Sequence, residues 1–249
     1  MPRRLKFIVA YDGAPFAGWQ SQSGGNTVQN HLERAFAAIA GGELRVHGAG
    51  RTDAGVHALA QCAHVDLPDR SLSPAQWPLA LNTHLPPTVR VLRAAYVGQA
   101  FHARFSAVGK IYRYRIWNDR ILPPFELGRA WQVNIPIDVS KLSAAAKLFV
   151  GTHNFAAYCA NRGHPERSTT RTIHSVRAKC HHALIEIDVS GNGFLYKMVR
   201  MIVGELVRCA TGRSSEAQVA ARIRAGASQR GGPRLVAAAG GLYLLRVRY

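Results

Sequence analysis

The sequence predicts an α+β protein made of two halves with a similar order of elements, their sheets joined or adjacent around a cleft. The first observation is size, because 249 residues that are 47% apolar can bury a sizeable core. The second is that alternating apolar stretches occur beside stretches with helical apolar spacing in both halves. The third is Pro123-Pro124, after which a second round of strands and helices begins. We place the two halves at 1–107 and 108–249.

The chain before the proline pair is predicted to open with a strand at 5–11, a turn and a helix. Thr27 is the capping residue of that helix, and Gly41-Gly42 is its stop signal. A shorter helix starts at Ser73-Pro74 and ends before Pro86-Pro87. The remaining alternating segments predict strands at 44–47, 58–66, 89–97 and 110–117.

The chain after the proline pair repeats this mixture of elements without repeating the sequence. A helix is predicted from near Ser140, and a long amphipathic one from roughly 194 to 210. The polar stretch 159–171 lacks periodicity, which predicts a mobile loop. The other predicted elements are strands near 130–135 and at 172–180, 183–189 and 241–248, and a helix at 214–225.

The charge balance indicates a polyanionic partner. Lys and Arg total 32 against 14 Asp and Glu, so the formal charge is +18. Both halves are basic, which favours an extended footprint over a detachable basic tail. A codon bias toward arginine would produce the same excess, so charge alone does not decide for nucleic acid.

The cysteines and the N-terminus indicate a cytoplasmic protein. Four cysteines are spread widely, with no C-x-x-C pair and no metal-ligand spacing, which predicts reduced, mostly buried thiols. No apolar signal core follows Met1-Pro2-Arg3-Arg4, and no apolar run is long enough to span a membrane. We expect a soluble protein with no membrane partner.

The glycine-rich bend at 48–58 carries the most informative carboxylate, because acids are scarce in this chain. Asp53 lies there between Arg51 and His57, in a field that keeps a carboxylate ionised. Three roles are open at this point: a nucleophile, a general base, or a turn residue that organises local backbone. An arginine two residues away can hold such a carboxylate by a bidentate pair or clamp a phosphate beside it.

Two other interpretations of this region fail. The bend lacks the lysine of a phosphate-binding P-loop, and a strand pattern follows it where that loop requires a helix. His57, His64 and Asp66 lie along one predicted strand, where polar residues are more often surface than metal ligands. We therefore expect no metal.

The run Gly48 to Ala58, GAGRTDAGVHA, closely resembles the signature of the tRNA pseudouridine synthase A family. The similarity extends over nearly the whole chain, in family order. Its further motifs are Tyr11-Asp12-Gly13, Phe16-Ala17-Gly18-Trp19-Gln20, Thr27-Val28-Gln29, Leu32-Glu33, Leu81-Asn82, Leu85-Pro86, Phe101 to Ala107 (FHARFSA), Lys110 with Tyr112-Arg113-Tyr114, Met198-Val199-Arg200 and Val203-Gly204.

The resemblance implies the pseudouridine synthase fold, with mostly antiparallel sheets joined around a central basic cleft. It implies a cofactor-free enzyme that isomerises uridines 38, 39 and 40 in the anticodon stem-loop of tRNA, acting as a homodimer. Asp53 in the first half would be the catalytic aspartate, and Arg200 in the second half would pair with it. Among the substrate-binding residues, Tyr112 would face the target base and Arg51 would organise the substrate. Phosphate contacts need further cations, and the residues expected to line the RNA path are Arg104, Lys110, Arg113 and Arg115. Alternation along the strand predicts that only some of these four share a face.

Residue periodicity leaves several points open. Tyr112 and Tyr114 share a face of one strand, and only the resemblance selects Tyr112. Phe101, Phe105 and Phe194 are predicted to be core residues and not stacking platforms.

Two segments depart from the family pattern. The stretch 236–241 lacks the family's proline and histidine, and 159–171 is unusual too. A noncatalytic RNA-binding module would also explain the charge, although it leaves Asp53 unexplained. A nucleotide-dependent phosphotransferase is disfavoured by the missing phosphate-loop lysine.

Overall fold

The computed structural model describes residues 3–68, 72–160, 168–226 and 235–249. Within these ranges the chain forms ten strands and five α-helices, and most strand pairs are antiparallel, which confirms the α+β class. The strands are β1 (Arg3–Tyr11), β2 (His47–Gly48), β3 (His57–Leu67), β4 (Val89–Val97), β5 (Gly109–Trp117), β6 (Trp131–Gln132), β7 (Gly151–Asn154), β8 (Thr170–His181), β9 (Leu184–Gly191) and β10 (Leu242–Arg248). The helices are α1 (Val28–Ala40), α2 (Gln76–His84), α3 (Val139–Lys147), α4 (Met198–Ala210) and α5 (Glu216–Ala225).

The chain divides into two compact units, Met1–Val108 with Tyr243–Tyr249, and Gly109–Leu242. The sequence placed the closing strand in the second half, whereas residues 243–249 group with the first unit. The reason is strand pairing, because Tyr243 and Leu244 of β10 lie parallel to His57 and Ala58 of β3. Hydrogen bonding to a distant strand carries no local sequence signal.

The first unit has the strand order β4-β1-β3-β10, with β2 on β3. Alternate residues of β1 are buried, so its apolar face packs inward while Lys6 and Ile8 face the other way. The rings of Phe7, Phe36 and Trp77 follow one another at 5.3 and 5.4 Å, joining β1 to α1 and α2. Burying such rings contributes roughly 1.5–3 kcal/mol each.

The second unit has the strand order β5-β9-β8-β7, with β6 on β5. Short 3-10 helices at Pro124–Glu126, Ala156–Tyr158 and Ala239–Gly241 connect its elements. Helix α3 is capped by Asp138, whose carboxylate accepts from the backbone of Ser140 and Lys141. Such a cap stabilises the first turn by about 1 kcal/mol.

Element boundaries differ from the sequence prediction where distant side chains intervene. Thr27 caps α1 and Gly41 ends it, as predicted. The strand predicted at 44–47 is wrong except at residue 47, because the side chains of Gln29 and Glu33 bond the backbone of Val46 and the observed β2 spans only His47–Gly48. Helix α4 starts four residues later than predicted, because Lys197 adopts a left-handed conformation, φ 57°, that no helix interior accepts.

Some predictions about loops and thiols need correction. The predicted loop 159–171 falls partly on 161–167, outside the described residues, and its last two residues already belong to β8. Strand β7 was not predicted. All four cysteines are free, but Cys159 is only half-buried and Cys180 is exposed, so "mostly buried" was wrong for two of them. In the described part of the chain, every helix is too short or too polar to cross a bilayer.

Candidate functional site

The bend that carries Asp53 is built against the segment that opens the chain. Trp19 donates its backbone N–H to the carbonyl oxygen of Thr52 at 3.0 Å. Gly18 has φ +97°, and a side chain there would bring a Cβ to 2.7 Å from the same oxygen. A Cβ on Gly48 would meet the Trp19 ring at 2.5 Å. Two glycines of different motifs thus allow the close approach that shapes the bend.

Thr52 and the backbone of Asp53 hold the bend itself. The Thr52 hydroxyl is buried and lies 2.8 Å from the hydroxyl of Tyr11 at the end of β1. The N–H of Val56 donates to the carbonyl oxygen of Asp53 at 3.1 Å, and Gly55 supplies a positive φ of 75°. The turn is therefore closed by the main chain of Asp53, and its half-buried carboxylate is carried on that fixed turn.

The downstream end of the bend is held by His57, the first residue of β3. Its Nδ1 accepts the N–H of Gly13 at 3.0 Å, and its ring stacks on Tyr243 of β10 at 4.6 Å. A Cβ on Gly13 would overlap the carbonyl oxygen of Val56. His57 is thus a structural residue that joins the opening motif to the bend.

Arg51 and Arg104, the two predicted substrate cations of the first unit, are both exposed. Arg51 precedes Thr52 in the bend. Arg104 lies in the segment 101–107, whose backbone is bonded to the imidazoles of His64 and His102. The first unit therefore contains Asp53, Arg51 and Arg104.

The second unit contains Lys110, Tyr112 and Arg200. Lys110 and Tyr112 lie on one face of β5, and the ring of Tyr112 meets Phe194 edge-on at 5.1 Å. Tyr112 is also buried but keeps 8% exposure, whereas Tyr114 on the same face has none. The Tyr114 hydroxyl donates to the carbonyl oxygen of Ala238 at 2.7 Å, and burial raises its pKa. Tyr114 is therefore a core residue, a distinction that strand periodicity could not make.

Arg200 lies in the first turn of α4, half-buried. Its Nε donates to the carbonyl oxygen of Ala237 at 2.7 Å, and the N–H of Ala237 donates back to the Arg200 carbonyl at 3.2 Å. This reciprocal pair, with the bond from Tyr114 to Ala238, holds the segment 236–241. The segment 236–241, which lacks the family's proline and histidine, is thus fixed by hydrogen bonds to Tyr114 of β5 and Arg200 of α4.

Arg113 and Arg115 do not share the face of Tyr112. Arg113 binds Asp188 through two hydrogen bonds of 2.8 and 2.9 Å and lies 3.1 Å from Glu186. Arg115 binds Glu126 at 2.9 Å. The carboxylate of Asp188 stabilises the guanidinium and raises the pKa of Arg113. Both arginines are engaged in ion pairs on the opposite face of β5, which speaks against their predicted place beside the RNA path with Lys110.

One aromatic prediction was wrong, and the structural roles of two histidines were not predicted. Phe105, predicted as core, is 77% exposed, while Phe101 and Phe194 are half-buried. His64 and His102 organise the segment that carries Phe105 and Arg104. The signal available in the sequence was the crowding of two aromatic residues, a histidine and an arginine within FHARFSA.

The metal interpretation of His57, His64 and Asp66 finds no support in the geometry. Asp66 is bound by Arg4 at 2.7 and 2.8 Å, and this hydrogen bond lowers the pKa of its carboxyl. His57 and His64 each use Nδ1 to accept a backbone N–H. Among the described residues, no three His, Cys, Asp or Glu side chains are grouped so that they could hold a metal ion.

The family of this chain is shown by its similarity to known proteins. Residues 7–106 and 145–249 match the family model described as tRNA pseudouridine synthase. A tRNA pseudouridine synthase A of Akkermansia muciniphila is 47% identical, over 99% of this chain and 95% of that protein. Proteins of the same name from Methylacidiphilum infernorum and Afipia carboxidovorans are 44% and 42% identical, over 98% and 100% of this chain and 94% and 100% of theirs.

The matched ranges include the bend with Asp53, residues 101–106 and all of α4. The resemblance read from the motifs is therefore confirmed by matches that span nearly the whole chain. On this ground, the chain belongs to the tRNA pseudouridine synthase family.

Proposed function

We propose that this protein isomerises uridine to pseudouridine at positions 38, 39 and 40 of the tRNA anticodon stem-loop, with Asp53 as the catalytic residue. The observation that carries the proposal is the bend 48–58, where the family signature is folded into a turn that fixes the backbone of Asp53. Family membership supports the substrate, and the formal charge of +18 suits a polyanion.

The reaction exchanges one bond of uridine for another. The N1–C1′ bond breaks, the uracil turns, and C5 joins C1′, while C5 loses a proton and N1 gains one. Asp53 would act at the ribose, either by attacking C1′ or by removing the C2′ proton to give a glycal. Both routes need a carboxylate held in place, and the closed turn supplies that placement.

The other predicted residues take supporting roles. Tyr112 would contact the freed uracil, since it is the tyrosine of β5 that keeps some exposure. Arg200 would pair with Asp53, and Arg51, Arg104 and Lys110 would bind phosphates of the RNA. A uridine in a stem must leave the stack first, at a cost of a few kcal/mol that phosphate contacts offset.

The proposal includes a homodimer in the cytoplasm. Three large apolar side chains that follow β5 closely in sequence are exposed, Ile121 by 78%, Phe125 by 85% and Leu127 by 70%, and exposed apolar surface of this kind is typical of a protein interface. Phe125→Asp should then shift the protein toward monomer in light scattering. The four free thiols suit a reducing compartment.

Tritium release tests the activity. The full chain is incubated with tRNA labelled with tritium at uridine C5, and release into water is measured for wild type, Asp53→Asn and Glu43→Gln. We expect release by wild type and by Glu43→Gln, which changes an exposed acid outside the bend, and none by Asp53→Asn. tRNA affinity should be similar in all three.

Two results would contradict the proposal. Tight tRNA binding by wild type without tritium release would favour the noncatalytic RNA-binding module. Full release by Asp53→Asn would remove Asp53 from the chemistry. Mapping the modified uridines in the product tRNA tests positions 38, 39 and 40 separately from the activity.

A further inference from the structure

Phe105 is an exposed aromatic residue in a segment that is otherwise tied down. Its ring is 77% exposed and lies 4.3 Å, centroid to centroid, from the ring of His102. The guanidinium of Arg104 lies 5.6 Å from the Phe105 ring, and Arg104 is exposed too. An aromatic surface and a cation are therefore presented side by side.

The backbone that carries these side chains is held by two imidazoles. Nδ1 of His102 accepts the N–H groups of Arg104 and Phe105 at 3.1 and 3.3 Å. Nδ1 of His64 accepts the N–H of Ala103 at 3.1 Å, and the carbonyl oxygen of Ala103 accepts the hydroxyl of Tyr249 at 2.7 Å. Phe105 is thus exposed on a fixed backbone, so that little ordering entropy is lost when something binds it.

The segment lies near the bend that carries Asp53. His47 of β2 stacks on His64 at 5.0 Å and lies 5.6 Å from His102. Asp53 lies six positions after His47, and an extended chain of that length spans at most about 20 Å. Phe105 is therefore within reach of an RNA stem-loop whose target nucleotide is at Asp53.

An RNA base suits this surface better than a protein side chain. Every base offers a face for stacking on an aromatic ring, and the neighbouring phosphate is matched by a cation. Among the groups near the Phe105 ring are Arg104 and His102, and the chain as a whole is strongly basic. The positive charge favours the phosphates of RNA, and the exposed Phe105 ring favours its bases.

We propose that Phe105 stacks on an unpaired base of the RNA substrate, while Arg104 contacts the adjacent phosphate. The proposal rests on the function proposed above, because it takes the bound RNA to be the substrate of Asp53. Phe105 is a binding residue that holds the stem-loop in register and takes no part in bond rearrangement.

The test measures the affinity of the full chain for tRNA with Phe105→Ala, Phe105→Leu and Phe105→Trp. Stacking on one base predicts about 5- to 150-fold weaker binding for Phe105→Ala. Phe105→Leu keeps apolar bulk without a ring and should bind as weakly, whereas Phe105→Trp should bind within about threefold of wild type. Leu79→Ala in α2, an equally exposed apolar residue (73%), is the matched control and should change nothing.

The salt dependence of tRNA binding distinguishes the proposed phosphate contact of Arg104 from the proposed base stacking of Phe105. Arg104→Ala should lower the slope of log affinity against log salt by about 1, whereas Phe105→Ala should leave the slope unchanged. Thermal unfolding of each variant checks that the fold is kept.

The stacking proposal is overturned if Phe105→Ala binds tRNA like wild type, or if Phe105→Leu restores binding. It is also overturned if Phe105→Ala changes the oligomeric state and leaves RNA affinity intact, since Phe105 would then be a protein contact. Tritium release by wild type reports the proposed function independently. Weak tRNA binding by Phe105→Ala in a protein that releases no tritium would leave the stacking site standing and remove only the activity.

Discussion

The hydroxyls of Tyr11 and Thr52 lie 2.8 Å apart in the interior of the first unit. This bond links the end of β1 to the residue before Asp53, although 41 positions separate the two along the chain. The placement of the carboxylate thus depends on a strand that contributes no group to the chemistry.

Tyr11→Phe removes this bond and keeps the aromatic ring. We expect it to cost about 1 kcal/mol of folding free energy. Because small misplacements of a catalytic group are costly, kcat for tritium release should fall by about tenfold or more while tRNA affinity is kept. Tyr96→Phe removes another tyrosine hydroxyl that bonds within the first unit, and it should cost stability without lowering kcat. Equal kcat values for the two variants would show that the Tyr11 bond does not position Asp53.

Gly18→Ala tests the close approach behind the bend. Gly18 and Gly25 both have positive φ, 97° and 70°, so alanine strains either site by about 1–2 kcal/mol. Only at Gly18 does the added Cβ meet Thr52, at 2.7 Å from its oxygen, which should add about 1–3 kcal/mol. Chemical denaturation should show Gly18→Ala to be the less stable variant, and its tritium release should fall. Equal stabilities would contradict this role for Gly18.

Local chemistry explains which elements the sequence could predict. The Thr27 cap and the bounds of β4 depend on residues close in sequence, and both were predicted correctly. The shortening of β2 depends on Gln29 and Glu33, and the left-handed Lys197 has no residue signal. Long-range contacts and backbone conformation decided these boundaries.

In the candidate site, too, local features could be predicted from the sequence and long-range contacts could not. The turn at Asp53 follows from its glycines, and the family motif supplied its role. Tyr112 and Tyr114 have the same periodicity, and only a hydrogen bond across 124 positions identifies Tyr114 as core. Phe105 was mispredicted because large aromatic side chains are usually buried, and nothing in the local sequence marks this one as an exception.

His64 makes the stability of the first unit depend on pH. Burial, together with the nearby His102, Arg4 and His47, lowers its pKa from 6.5 to about 4, and Asp66 opposes this only weakly. The folded state therefore keeps His64 neutral while the unfolded chain binds a proton below about pH 6.5. Stability should fall as the pH drops from about 6.5 to about 4, by at most about 3 kcal/mol from this residue.

Asparagine tests this linkage, because its side-chain oxygen can replace Nδ1 as the acceptor for Ala103 without titrating. Denaturant midpoints at pH 7 and pH 4.5 should differ less in His64→Asn than in wild type. His174→Asn, at an exposed position in β8, should keep the wild-type difference. A His64→Asn protein with an undiminished pH dependence would assign the acid sensitivity to other groups.

Lys110 and Arg113 test which face of β5 meets RNA. Lys110 lies on the face of Tyr112, whereas Arg113 lies on the other face and is bound to Asp188 and Glu186. A cation that contacts phosphate releases counterions, so Lys110→Gln should lower the salt slope of tRNA binding by about 1. Arg113→Gln should leave that slope unchanged and reduce folding stability, because it leaves Asp188 and Glu186 without their shared partner. An equal loss of slope in both variants would mean that RNA contacts both faces, and the ion pairs of Arg113 would then have to open when RNA binds.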